Sequence, residues 1–453
     1  MTSSPTAGLT PECLAEQASR GPRYTSYPPA TEFGPVSAQR VAGELATIKE
    51  EGTPISLYVH VPFCRSLCWY CGCNVIPTRD ASKGEHYIDV VATELAVLAE
   101  QLGRGFPLAE VALGGGSPNF LSPRMLRTLI QSIRTCFTVL PDARMSVELD
   151  PRDTTTTQLD AFAGAGFRSM SVGVQDFSPQ VQDAIHRHQT IVQTGWLLER
   201  ARAAGFTDVN TDIVYGLPRQ TEESFMGTLE AIIGLQPDRI ALFGYAHLPD
   251  KLPHQRLVER AGRVLDRYER ATLLLMAIEK LSEAGYIHLG LDHFARPDSA
   301  LAKAAAEKRM SRSFQGYVEH KADTILGVGV TSISSSPRMF WQNRSELAAW
   351  EDDVGAKRVP VERGTVLDTD DRIRRTLIER LMCDGEADLD QLTRFGIEPM
   401  TYFEKELAAL PADLATLEGH TIKTTAMGKL LVRNVCMQFD RYFQGGERFS
   451  STI

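Results

Sequence analysis

The chain has 453 residues, with 48 basic against 57 acidic side chains and a net charge of −9. Hydrophobic residues make up 43% and charged residues 23%, ordinary usage that excludes a largely disordered chain. The acidic balance argues against a dedicated nucleic-acid binder, so an anionic substrate must be drawn by local Arg or Lys.

The start, MTSSPTAGLTPECLAEQ, has neither the basic head nor the apolar run of a signal peptide. No stretch approaches the roughly 18 apolar residues of a spanning helix. A monomeric cytoplasmic protein is expected, with no membrane or nucleic-acid partner. Residues 1–50 show no strong period, and GPRYTSYPPATEF at 21–33 reads as an extended segment of an N-terminal arm.

From about residue 54 the pattern alternates. β-branched apolar runs at 55–61, 110–113, 145–149, 169–174, 208–214 and 239–244 are separated by helical periods at 86–102, 125–137, 194–204, 223–235 and 264–284. Such alternation predicts βαβ units on a parallel sheet. Six units within residues 51–345 fit a partial (β/α)6 barrel or an open doubly wound sheet, short of the eight of a closed barrel. Residues 346–453 read as a mostly helical domain, with periods at 371–382, 388–395 and 400–410, a strand-like HTIKTT and a helix from Ala426. That order resembles a winged helix, although the acidic charge favours a cap on the barrel over a DNA reader.

Of eight cysteines, Cys64, Cys68, Cys71 and Cys73 lie within ten residues. In a large chain without secretory features this density points to metal or redox chemistry rather than disulfides. The first predicted strand ends at Pro62, which places the loop at the C-terminal mouth of the sheet, where such folds keep their sites. Four thiolates suit a four-iron cluster or zinc, but Cys71 and Cys73, one residue apart, are awkward ligands for one metal. With Cys64, Cys68 and Cys71 as ligands, a cubane keeps one iron open to a small molecule. A zinc knot completed by Cys73 or His60 and a purely electron-transferring cluster are the alternatives.

Other predicted strand ends carry polar or small residues. Gly114–Gly116 and Ser117 let a backbone approach a ligand closely, a tight turn being the plainer reading. Glu148, Gln175, Asp212 and Ala246 stand at or just past later strand ends. Asp150 reads as a turn or cap residue.

CxxxCxxC directly after the first strand of a βα series resembles the radical SAM signature. PRYTSYP, SLYVHVPFCRSLCWYCGC, GGGSP, VELDPRD, GVQDF, DIVYGLPRQT, YAHLP, DHFARP, FQGY and RNVCMQFD, in this order, resemble the oxygen-independent coproporphyrinogen III oxidases from about residue 20 onward. The resemblance implies a partial (β/α) barrel of the radical SAM type, a 4Fe-4S cluster and two molecules of S-adenosyl-L-methionine (SAM). It implies oxidative decarboxylation of two propionates of coproporphyrinogen III to vinyl groups, giving protoporphyrinogen IX, with an electron donor of unknown identity. Cys64, Cys68 and Cys71 match the cluster ligands. Tyr58, Gly115, Glu148, Ala246 and Ile333 match positions around the cluster-bound SAM. Tyr70, Gly116, Ser117, Gln175, Arg187 and Asp212 match positions around the second, and Phe314 and Gln315 match the FQGY segment. Ser117 replaces a common Thr, Gly244 and Ser313 replace Asn, and Tyr70 replaces a Phe-like ring.

For a substrate with four carboxylates, Arg23 and Tyr24, with Tyr27, are candidates on an arm that folds over the mouth. On that reading, deleting residues 1–35 spares the cluster. Arg187 and Arg296 are further anion candidates, and His60, His247 and His293 are candidate donors. The competing reading is a heme chaperone that binds heme without this turnover. Such relatives lack the PRYTSYP arm and carry a Phe-type residue at the Cys73 position. Relatives that open the heme macrocycle form a third class.

Overall fold

The computed structural model describes residues 6, 8–313, 316–319, 322–445 and 449–453. Its frame is a series of six parallel strands that pair in chain order: β1 (Ile55–Val61), β2 (Phe106–Gly115), β3 (Phe137–Leu149), β4 (Ser169–Gln175), β5 (Asp208–Tyr215) and β6 (Arg239–Gly244). Parallel neighbours need crossovers, and helices Ala81–Leu102, Pro123–Cys136, Thr156–Ala165, Ile191–Ala204 and Glu222–Leu235 supply them. The first shows why the sequence complies. Asp80 caps its N-terminus by accepting from the Ser82 N–H, Tyr87, Val91, Leu95, Leu98 and Leu102 are buried, and Gly103 ends it at a φ of 93°.

The sheet runs past these six strands on both sides. After β6, the antiparallel pair β7 (Ile287–Gly290) and β8 (His293–Ala295) closes one edge. A small hairpin, β9 (Ser311–Ser313) with β10 (Gly316–Val318), stands apart from the sheet. At the other edge β11 (Ile325–Val328) lies parallel to β1 as a seventh parallel strand. Antiparallel β12 (Ile333–Ser335), β13 (Met339–Asn343) and β14 (Val361–Val366) follow it. Among the described residues the sheet has twelve strands in the order β14-β13-β12-β11-β1-β2-β3-β4-β5-β6-β8-β7. The six parallel strands of the expected (β/α)6 series are present, and sheet pairing continues past residue 345 to Val366. The additional strands are three to six residues long, too short for a visible period.

The arm also differs from its sequence reading. Residues 38–51 form a helix, capped by Ser37 and ended by Gly52 at a φ of 65°. Val41, Leu45 and Ile48 alone carry its buried apolar stripe. Tyr24 and Tyr27 are buried too. The Tyr24 hydroxyl donates to Asp440 at 3.0 Å, and the Tyr27 hydroxyl accepts from the Arg441 N–H at 3.2 Å. In the C-terminal region, Thr369–Asp384 is helical as expected, Leu389–Phe395 is a 3-10 helix, and 400–410 breaks into two short turns of helix. A three-stranded ribbon (Glu386–Asp388, Ala415–Glu418, Thr421–Thr424) completes it. Among the described residues no helix is long and apolar enough to cross a membrane.

Candidate cluster and cofactor site

Beyond β1 the chain turns at Pro62 and the cysteine loop lies across the C-terminal ends of the parallel strands. Cys64, Cys68, Cys71 and Cys73 line one cavity of about 150 Å3. Tyr70, Gly115, Gly116, Ser117, Glu148, Gln175, Arg187 and Asp212 line it as well. Apart from Tyr70 in the loop itself, they come from β2 to β5 and the segments after them, so the strand ends converge.

The glycines are there for space. A Cβ on Gly115, whose φ is 109°, would lie 2.5 Å from the His60 ring, and one on Gly116 would lie 2.7 Å from the Pro62 backbone. Gly116 and Ser117 donate backbone N–H groups to Val61 and Phe63 at 2.8 and 2.9 Å, which stitches the strand end to the loop. Gly115 donates to Glu148 at 3.1 Å. Gln175 holds a φ of 70° at the end of β4.

One wall is cationic. Arg187, buried, donates to both Asp150 oxygens at 3.1 and 3.3 Å and to the Gly173 carbonyl at 2.5 Å. Its Nη1 also lies 3.5 Å from the Cys68 Sγ, matched by Arg152 Nη2 at 3.5 Å. Burial alone would raise the Asp150 carboxyl, but Arg187 and then Arg152 outweigh it and hold it at about 2. Asp150 is therefore the anchor of an arginine pair rather than a simple turn residue. Arg152, in the VELDPRD motif two residues on, is a site residue that the sequence reading passed over.

The opposite wall holds carboxyls that resist ionisation. Burial pushes Glu148 up to about 7, partly opposed by the Gly115 N–H, and pushes Asp212 up to about 6 against donors from Ser171 and Asn210. Glu148 and Cys73 line this cavity and two neighbours, one of about 310 Å3 containing Arg23 and one of about 640 Å3 containing Tyr58 and Ile333. Tyr58 bonds His60 at 3.2 Å, and burial holds His60 down at about 4.

Gln255, also unforeseen, donates to the Tyr70 carbonyl at 3.0 Å and the Ala246 carbonyl at 3.1 Å, tying the loop to the segment after β6. His254 bonds the Cys71 carbonyl at 2.8 Å. Phe314 and Gln315 lie outside the described residues. Tyr24 packs into the junction with the C-terminal region and not into the cavity that Arg23 lines. Arg296 is half-buried, pairs with Asp298 and lines neither the cysteine cavity nor the Arg23 cavity. His293 lines the Arg23 cavity, whereas His247 bonds Tyr245 and Glu259.

The donors fit an iron–sulfur cluster. Among the described residues no three His, Cys, Asp or Glu side chains are grouped closely enough to hold a metal ion. The thiols ring a cavity instead. Burial and then the neighbouring Cys71 thiol push Cys64 up to about 12, whereas the hydrogen bond with Cys73 brings Cys71 down to about 6, and a bound multinuclear cation centre would let both ionise together.

A partial parallel barrel with a cysteine loop at its C-terminal mouth defines a radical SAM protein, and residues 58–232 match the family model described as the Radical SAM superfamily. A 4Fe-4S cluster and SAM are the cofactors of that class. The chain is 37% identical to an oxygen-independent coproporphyrinogen III oxidase of Pseudomonas aeruginosa, over 96% of each protein. It is 38% identical to that of Escherichia coli, over 94% of this chain and 93% of the relative. The solved structure of the E. coli coproporphyrinogen III oxidase superposes with a TM-score of 0.89 at 37% identity, covering 93% of this chain and 98% of the other. The chain belongs to the oxygen-independent coproporphyrinogen III oxidase family.

Proposed function

We propose that this protein converts coproporphyrinogen III to protoporphyrinogen IX without oxygen, in the cytoplasm, with one SAM at the cluster and a second beside it. The observation that carries this reading is the cysteine cavity, which meets an arginine-lined cavity at Glu148 and Cys73. Cys64, Cys68 and Cys71 would hold the cluster. When bound, the cluster and SAM supply a carbon radical able to abstract hydrogen. The residues around it bind, orient and exclude water. Tyr58, Gly115, Glu148, Ala246 and Ile333 would surround the first SAM. Tyr70, Gly116, Ser117, Gln175, Arg187 and Asp212 would surround the second, and Phe314 and Gln315 match the family's FQGY segment. Glu148 and Asp212, hard to ionise where they are buried, suit hydrogen-bonding to ribose hydroxyls or an ammonium.

Each propionate loses a hydrogen atom, one electron and CO2 to become a vinyl group, so an electron acceptor is needed besides the donor that reduces the cluster. Radical chemistry of this kind needs an enclosed site, and the loop is clamped accordingly by Gln255 and His254. The deciding experiment is anaerobic turnover of reconstituted protein with coproporphyrinogen III. Protoporphyrinogen IX with release of 5′-deoxyadenosine is expected. Stoichiometric heme binding with no turnover would overturn the reading and mark a chaperone.

A further inference from the structure

The cavity of about 310 Å3 is lined by four guanidinium groups, those of Arg23, Arg144, Arg239 and Arg312. Two are already neutralised. Arg144 lies 3.3 Å and Arg239 2.6 Å from Asp208, and Arg144 also reaches Glu110 at 3.5 Å. Arg23 is only weakly matched. Its Nη1 is 3.7 Å from Asp292, beyond hydrogen-bond range, and its Nε is buried with no partner among the described residues.

Arg312 is the odd one. It is 5% exposed, and its Nε and Nη1 are buried with no hydrogen-bond partner among the described residues. Its Nη2 donates to the Arg23 carbonyl at 3.3 Å, and its Cζ lies 4.9 Å from the Tyr317 ring centroid. That ring attracts a cation without discharging it. A guanidinium buried this deeply is retained where an anion completes it, and its fork matches a carboxylate.

We propose that Arg312, with Arg23 beside it, seats a propionate carboxylate of the tetrapyrrole, and that this carboxylate survives the reaction. The proposal rests on the decarboxylase reading above. Its second part follows from charge. A reacting carboxylate departs as neutral CO2, so two guanidiniums on it would stabilise the ground state more than the transition state and slow the step. On a carboxylate that stays, the same contacts hold the macrocycle in register. Glu148 and Cys73, shared with the cysteine cavity, put the opposite side of the ring toward the radical source.

The test uses full-length, cluster-reconstituted protein under anaerobic conditions. Fluorescence titration with coproporphyrin III and protoporphyrin IX is compared for the wild type, Arg312→Gln, Arg312→Lys and Arg23→Gln. Protoporphyrin IX keeps only the propionates that survive. Arg312→Gln is expected to weaken both porphyrins by the same factor, about 10- to 150-fold for a lost charged contact, and Arg312→Lys by less. KM should rise with kcat largely kept, and SAM affinity by equilibrium dialysis should be unchanged. Should Arg312→Gln fail to fold, Arg23→Gln, at a side chain one third exposed, carries the same comparison. Weakening of coproporphyrin alone would overturn the surviving-carboxylate assignment. Unchanged binding of both porphyrins, or weakening of SAM alone, would overturn the seat. A wild type that turns over no coproporphyrinogen III defeats the functional reading itself, a separate result.

Discussion

Between Ile55 and Gly244 each strand of the sheet pairs with the next strand in the chain, whereas the region around Arg433 joins residues more than 400 positions apart. The first region assembles by successive local crossovers, and its site falls at strand ends because side chains and backbone groups are left unpaired there. The second is held by a buried cation. Arg433 donates to the carbonyls of Pro22 at 2.9 Å and Ser451 at 2.7 Å, and also to Gly21. Asn434 adds a bond to the Gln17 carbonyl at 2.7 Å, and Ser19 donates its N–H to Thr452 at 2.9 Å. Burial pulls the Arg433 guanidinium down to about 9, with Arg23 adding to the effect. The difference teaches that neighbouring strands of the cofactor half meet through crossovers of tens of residues, whereas the junction forms only when both ends of the described chain come together. The two chain ends act as one structural unit that presents Arg23 to the cavity. The arm is thus part of the core, and deleting residues 1–35 should unfold this junction rather than cleanly remove substrate binding.

The sharpest way to separate the regions is to remove the cluster ligands. Cys64→Ser, Cys68→Ser and Cys71→Ser should each lose the iron chromophore and all SAM cleavage while the far junction stays folded. Cys73→Ser should keep most of its iron. Equal iron loss in all four would break the three-ligand assignment.

The converse change is Arg433→Met. Removing a buried cation from several carbonyls should cost about 3–5 kcal/mol, read from the urea midpoint. Iron per folded molecule should remain near the wild-type value if the two regions are as independent as described.

A smaller effect is expected inside the cofactor half. In Gly116→Ala the new methyl meets the Pro62 backbone at 2.7 Å, for a cost of about 1–3 kcal/mol. The loop must shift, so SAM affinity should fall while iron is retained.

The edge strands give a pH test. Glu94 accepts from the Gly329 N–H, Asn343 and Trp350, and burial raises it from 4.5 to about 7. The unfolded chain gives up this proton first as pH rises, so folded protein holds more protons between those values and loses stability upward through them. Glu94→Gln should remove one proton's worth of that slope, at most about 1.4 kcal/mol per pH unit. An unchanged slope in denaturant titrations would show that Glu94 is already ionised when folded.

Least is expected of Arg296→Ala. Its exposed pair with Asp298 should be worth under about 0.5 kcal/mol, with no change in KM.

The sequence by itself determined the parallel core and the cofactor end of the site. Strands 55–61 and 239–244 were legible to the residue, because their apolar runs and bounding Pro or Gly are local signals. The cysteine spacing and the triple glycine carry their chemistry within a few residues of chain. Only the tertiary structure decided the rest. Four-residue strands such as β11 have no period of their own and exist because β1 offers an edge to pair with. Tyr24 and Tyr27 read as substrate contacts until the C-terminal residues packed over them. Arg152 and Arg312 look like any arginine in the sequence, because whether a guanidinium is paired, stacked or left without an anion depends on groups tens to hundreds of residues away.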